Sequence, residues 1–133
     1  MKKLLTLFLA AGLLFGCGSD DDATTRTPLS GRWNMTAHLQ YTDVLPPPLN
    51  DGDVTWAING NRLIVTNTVQ DTHPYIMPSG TYAITVDDNY FTIETGEYDH
   101  YYSYTLTNNS LHLMEDGQDH NMADGDMISL EKN

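Results

Sequence analysis

Cysteine is nearly absent from this chain of 133 residues, and its one cysteine is Cys17. The fold therefore has no disulfide bond, and no thiol after Cys17 is available for catalysis or metal binding. The sequence also has no Gly-x-Ser-x-Gly, phosphate-loop or HExxH motif, the patterns that mark a catalytic serine, a phosphate site or a zinc site. We therefore expect a protein that is not an enzyme and has no cofactor.

Basic residues are scarce as well. Six Lys and Arg stand against 18 Asp and Glu, which gives a formal net charge of −12. Such a chain repels phosphate backbones, so we expect no nucleic-acid partner. It also repels anionic lipid headgroups, so attachment to a membrane would have to be covalent.

The N-terminus has the pattern of an export signal. Lys2 and Lys3 precede an apolar stretch at 4–15 that is too short to span a bilayer. Leu14-Phe15-Gly16-Cys17 resembles the lipobox of bacterial lipoproteins, which implies a signal peptide at 1–16 and a lipid attached to Cys17. The alternative is an ordinary cleaved signal followed by a chance cysteine.

An acidic run follows the cysteine directly. Gly18-Ser19-Asp20-Asp21-Asp22 resembles the surface-export signal of Bacteroidetes lipoproteins. That resemblance implies an outer-membrane lipoprotein exposed on the cell surface, with its lipid anchor as the contact with the membrane. We expect a lipidated acidic tether at 17–28 and one domain at 29–133, although the run is also typical of a plain solvated linker.

The remaining chain alternates apolar and polar residues in short segments separated by turn residues. In the first segment, Trp33, Met35, Ala37, Leu39 and Tyr41 share one face, and His38 lies on the other. This period of two predicts β-strands. Eight strands are predicted, at Arg32–Tyr41, Val54–Ile58, Arg62–Val69, Gly80–Val86, Tyr90–Thr95, His100–Leu106, Leu111–Glu115 and Asp126–Leu130. The fold class is therefore all-β, an eight-stranded antiparallel meander that forms a barrel or a sandwich.

Leu29-Ser30-Gly31-Arg32-Trp33 resembles the Leu-x-Gly-x-Trp opening of lipocalin-like lipoproteins. The segments 79–82, 104–106 and 111–113 fit the same pattern, so the chain looks like the small lipocalin-like domain found in Bacteroidetes lipoproteins. The resemblance implies a lipocalin-like β-barrel over about 29–131, with Trp33 at its closed end. It also implies binding rather than catalysis.

Aromatic side chains share the phase of the apolar faces and are expected to point into the barrel. They are the candidates for ligand binding: Trp33, Trp56, Tyr82, Phe91, Tyr102 and Tyr104. A tyrosine-lined interior suits an amphipathic ligand, because a buried tyrosine hydroxyl usually needs a partner. The simpler alternative is that these rings only fill the core.

We expect no metal site. The five histidines (His38, His73, His100, His112 and His120) lack the short spacing of metal ligands, and we expect them to face solvent or the barrel rim. The acidic loop at 115–126 does not have the alternate donors of an EF-hand, so a solvated turn is favoured over a calcium site.

Three functions remain open. The first is a surface-anchored binding module for a small apolar or amphipathic ligand. The second is a proteinaceous inhibitor or partner-binding module, such as an inhibitor of a protease or lysozyme. The third is an accessory subunit of an outer-membrane assembly. An interior void lined by Trp56 and Tyr104 would favour the first. A filled interior, with the loops at 46–48 and 98–102 clustered at one rim, would favour the second.

Overall fold

The computed structural model describes residues 28–40, 45–116 and 125–133. Within them the chain forms eight strands: β1 (Gly31–Leu39), β2 (Val54–Asn59), β3 (Arg62–Asn67), β4 (Gly80–Val86), β5 (Tyr90–Glu94), β6 (Asp99–Thr107), β7 (Ser110–Glu115) and β8 (Met127–Lys132). No helix in this described part is long and apolar enough to cross a membrane. The predicted signal peptide, Cys17, most of the tether, Tyr41 and His120 lie outside the described residues.

Each strand pairs in antiparallel fashion with the next, and β8 pairs with β1 to close a barrel. The predicted all-β meander is therefore confirmed, as a closed barrel rather than a sandwich. The β2–β3 hairpin turns at Gly60, whose φ of 58° is strained for residues with a side chain. The Asn59-Gly60-Asn61 sequence is the hairpin signal that marks this turn.

The barrel has two different ends. Short turns at 60–61, 87–89 and 108–109 join strands at one end, where the described chain also enters at Pro28. At the other end the chain connects β1 to β2, β3 to β4, β5 to β6 and β7 to β8, through residues 40–53, 68–79, 95–98 and 116–126. We call these the closed end and the open end.

Side chains that point inward fill most of the barrel. Buried and exposed residues alternate along β2, β3, β5 and β7, as the period of a strand requires. The largest of the fully buried side chains are Trp33, Trp56 and Phe91.

A β-bulge in β1 reverses which side chains face inward. Met35 pairs with Leu130, but Ala37 pairs with Ser129, so Thr36 is an extra residue in the ladder. One extra residue exchanges the two faces of a strand. His38 consequently points inward and is 6% exposed, whereas Leu39 is 42% exposed. The prediction that Ala37 and Leu39 share the face of Trp33, with His38 on the polar face, is therefore wrong.

Candidate ligand cavity

A cavity of about 550 Å³ occupies the open end of the barrel. Its wall combines inward side chains of the strands with residues of the 68–79 and 95–98 loops. The lining contains both apolar and polar side chains: Met35, Trp56, Ile76 and Ile128 together with His38, His100 and Asp126. Its volume lies within the range of roughly 300–1,000 Å³ that is usual for small-molecule sites.

Trp56 forms the inner boundary of the cavity. Its ring stacks on Phe91, with the ring centroids 6.2 Å apart and the planes at 19°. Trp56 lines the cavity, and Phe91 lies behind it without lining it. The two rings therefore separate the cavity from the filled core toward the closed end.

A histidine–aspartate pair lies in the wall between β1 and β8. His38 Nε2 is 2.9 Å from Asp126 Oδ2, and Gln40 donates to the same oxygen at 3.5 Å. Burial by itself raises the pKa of Asp126, but the hydrogen bonds and the charges of His38 and His100 outweigh it and hold that pKa below its usual value. An ionised carboxylate only accepts hydrogen bonds, so His38 carries its proton on Nε2.

A second histidine–carboxylate pair lies between β6 and β7. His100 Nδ1 is 2.8 Å from Glu115 Oε1, and the imidazole lies between the rings of Tyr98 and Tyr102 at 4.7 and 6.2 Å. Burial raises the pKa of Tyr102, and the nearby charges of Glu115 and Asp126 raise it further. Tyr102 therefore stays neutral in the folded protein well above pH 10.

The 68–79 loop is held in place by buried polar groups at its base. Asn67 ends β3, and its side chain donates to Gln70 and Met77 and accepts from the amide of Val69. His73 contacts the Pro47 carbonyl at 3.0 Å, which ties this loop to the proline-rich 40–53 loop. Tyr75, two residues further on, places its ring edge-on to His38 at 5.3 Å.

Three buried polar atoms of the cavity wall have no hydrogen-bond partner among the described residues. They are His38 Nδ1, Trp56 Nε1 and the Tyr75 hydroxyl. A buried polar group left unpaired costs about 1–3 kcal/mol, so most buried polar groups in native proteins have a partner. All three atoms belong to side chains that line the same cavity.

The structure divides the six aromatic candidates between the two ends. Trp56, Tyr82 and Tyr102 line the cavity, and Phe91 supports Trp56 from behind. Trp33 lies at the closed end, where its indole N–H donates to the Leu29 carbonyl at 2.8 Å. Tyr104 donates to the Asp87 carbonyl beside the β4–β5 turn, at the same end. The predicted void is thus lined by Trp56 but not by Tyr104.

Sequence reasoning missed the polar part of the cavity. The expectation that all histidines face solvent or the rim is wrong for His38 and His73, which are buried, whereas His112 is exposed as expected. His100 was identifiable, because it shares the phase of Tyr102 in β6. Within 28–40, 45–116 and 125–133, no three His, Cys, Asp or Glu side chains come together in the way a metal site requires.

The fold and the cavity define a class of small β-barrel proteins that enclose a site at one end. A family model described as a lipocalin-like domain matches residues 29–113, more than half of the chain, and the chain belongs to that family. No curated protein matches the sequence significantly.

Proposed function

We propose that this domain binds a small amphipathic molecule in the open-end cavity and does not transform it. The observation that carries the proposal is a set of three buried polar atoms, of His38, Trp56 and Tyr75, that have no partner in the described part of the chain and belong to side chains lining one cavity. An apolar cavity with a few converging polar groups is the usual composition of a small-molecule site. Membership of the lipocalin-like family supports a binding role in general.

We also propose that the domain is tethered through a lipid on Cys17 to the outer membrane, and that it faces outward. The resemblance of residues 14–22 to a lipobox and an acidic export signal supports this. The tether would join the barrel at Pro28, at the closed end. Ten residues between Cys17 and Pro28 reach about 35 Å at most. The cavity would then open away from the membrane and exchange its ligand with the aqueous phase.

Native mass spectrometry of the protein purified gently from its own host's envelope tests the binding proposal. We expect a bound molecule of defined mass, and we expect His38→Leu and Trp56→Phe to reduce its occupancy. His112→Leu is the matched control, because His112 is exposed on the outside of β7. A bare protein mass in every preparation would contradict a small-ligand site.

Membrane fractionation tests the anchor independently. Cys17→Ser removes the proposed attachment point, so the variant should move from the membrane fraction to the soluble fraction. If the variant stays with the membrane, the lipoprotein proposal is wrong, whatever the cavity binds.

One surface feature favours protein binding as a second candidate function. Leu39, Met127 and Met114 are exposed neighbours across β1, β8 and β7 on the outside of the barrel. Contiguous exposed apolar side chains are a frequent mark of a protein contact. Inhibition assays with lysozyme and serine proteases test this candidate, and inhibition that Met127→Asp abolishes would favour it over the small-ligand function.

A further inference from the structure

The basic residues of the domain are confined to its closed end. Residues 28–133 contain only Arg32, Arg62 and Lys132 as Lys or Arg. All three are exposed and lie at the ends of β1, β3 and β8 that meet at the closed end. The described residues of the segments 40–53, 68–79, 95–98 and 116–126 include six Asp and Glu and no Lys or Arg. The approach to the cavity therefore carries negative charge, which attracts cations and repels anions.

The cavity wall repeats this asymmetry. Asp126 and Glu97 line the cavity, and Glu115 is hydrogen-bonded to His100 beside it. The groups in the described wall that can carry positive charge are the imidazoles of His38 and His100. Three carboxylates thus outnumber the two imidazoles even when both imidazoles are protonated. A buried anion would find no uncompensated cation there, so no ion pair would offset the cost of removing its hydration shell.

The unpartnered atoms provide an independent indication of the ligand's chemistry. His38 Nε2 faces Asp126, so in the neutral form of the imidazole Nδ1 is an acceptor, which requires a donor such as an N–H. Trp56 Nε1 only donates and requires an acceptor oxygen, and the Tyr75 hydroxyl serves either role. The rings of Trp56, Tyr98 and Tyr102 also line the site, and aromatic faces attract organic cations.

We propose that the cavity selects an amphiphile whose head group is a cationic nitrogen with a neighbouring hydroxyl or carbonyl oxygen, and that it rejects anionic amphiphiles such as fatty acids. This inference rests on the proposed function, since it names the class of ligand for the same cavity. The nitrogen lies toward His38 and Asp126, and the oxygen accepts from Trp56. The alkyl part contacts Met35, Ile76 and Ile128.

Three probes of equal chain length test the charge selection: octylammonium, 1-octanol and octanoate. Binding to the intact protein is measured by calorimetry at pH 7.5, with the fluorescence of the tryptophans as a second signal. The salt is about 0.15 M, which limits attraction by distant surface charge to roughly 8 Å. We expect octylammonium to bind about ten-fold more tightly than octanoate, with octanol between them.

The outcomes separate this inference from the proposed function. Octanoate binding as tightly as octylammonium would overturn the charge selection and leave the small-ligand function in place. No binding of any of the three probes up to millimolar concentration would overturn both. Octylammonium bound with equal affinity by Asp126→Asn would place the cation outside the cavity and also overturn the inference.

Two pairs of variants assign the selection to the cavity rather than to the net charge. Asp126→Asn keeps the shape of the side chain and should reduce the octylammonium-to-octanoate affinity ratio about five-fold. Asp88→Asn makes the same charge change at the exposed β4–β5 turn of the closed end and should leave the ratio unchanged. Glu97→Gln, in an exposed loop that lines the cavity, repeats the test where folding is not at risk and should also lower the ratio. An equal effect of Asp88→Asn and both cavity variants would contradict the proposal.

Discussion

The two ends of this barrel differ in whether a buried tryptophan N–H has a hydrogen-bond partner. At the closed end, the Trp33 indole donates to the Leu29 carbonyl at 2.8 Å, and Lys132 Nζ lies 5.3 Å from the centroid of its ring. At the open end, the Trp56 indole is equally buried but has no partner among the described residues. The same residue type therefore stabilises the fold at one end and leaves a donor free at the other.

The difference indicates that one end of the core mainly stabilises the fold and the other is suited to binding a ligand. Paired polar groups and filled volume provide stability, whereas unpaired groups around a cavity lower stability and offer recognition. Closed-end substitutions should accordingly affect unfolding more than binding, and open-end substitutions the reverse.

The largest effect is expected at the closed end. Trp33→Ala removes a fully buried ring and its hydrogen bond, which should lower the free energy of unfolding by about 3–5 kcal/mol. Urea denaturation followed by circular dichroism measures this loss. Tyr98→Ala, an exposed aromatic of the open end, is the control and should change stability by about 0.5 kcal/mol or less. A loss below about 1 kcal/mol for Trp33→Ala would contradict its role in the core.

Conservative changes compare the two tryptophans directly. Trp33→Phe removes an existing hydrogen bond and leaves the Leu29 carbonyl unpaired, so we expect the free energy of unfolding to fall by about 2 kcal/mol. Trp56→Phe removes a similar volume but deletes a donor that has no partner among residues 28–40, 45–116 and 125–133, so we expect about 1 kcal/mol or less. Parallel denaturation curves of the two variants test this, and equal costs would mean that the ends do not differ as the structure indicates.

High pH should destabilise the open end through Tyr102. Its pKa is raised in the folded protein, first by burial and then by Glu115 and Asp126. The unfolded chain thus loses this proton near pH 10 while the folded chain keeps it, and stability falls as pH rises above that value. Tyr102→Phe should remove roughly 1 kcal/mol of this loss at pH 11. Tyr101→Phe, on the outward face of the same strand, should follow the wild type, and denaturation at pH 8 and pH 11 compares all three proteins.

Much of the fold could be predicted because strands and turns leave local signals. The alternation around Trp56 or Phe91 and the Asn59-Gly60-Asn61 turn specify their elements within a few residues. The resemblance carried by residues 29–33 led to the family that the match over 29–113 supports. Trp56, Tyr82 and Tyr102 were identifiable as inward-facing from their phase alone.

The polar part of the cavity could not be predicted in the same way. The bulge at Thr36 has no local signal, because a Met-Thr-Ala sequence also suits a regular strand, and yet it turns His38 inward. The partner of His38 is Asp126, 88 residues away, and such a pairing depends on the closure of β8 onto β1. Strand phase therefore predicts which rings point inward, but the register decides which polar groups meet.

The smallest effect concerns two aspartates with lowered pKa values, one at each end. Backbone amides of Asn89 and Tyr90 lower the pKa of Asp87 at the closed end, whereas burial raises the pKa of Asp126 and His38, Gln40 and His100 lower it by more. His38→Leu should therefore raise the pKa of Asp126, because the effect of burial is then opposed only by Gln40 and His100. The pKa of Asp87 should stay unchanged. Carbon-detected NMR titration of the carboxyl groups measures both values in one sample.

The lowered pKa of Asp126 also affects stability in acid. A carboxyl group whose pKa is lower in the folded protein than its ordinary value of 3.8 stabilises the fold above pH 3.8, and this stabilisation is lost as the pH falls through the folded value. His38→Leu should therefore lose less stability than the wild type between pH 4 and pH 2. If the pKa of Asp126 does not change in His38→Leu, its lowering has a cause other than the imidazole that the bulge turns toward it.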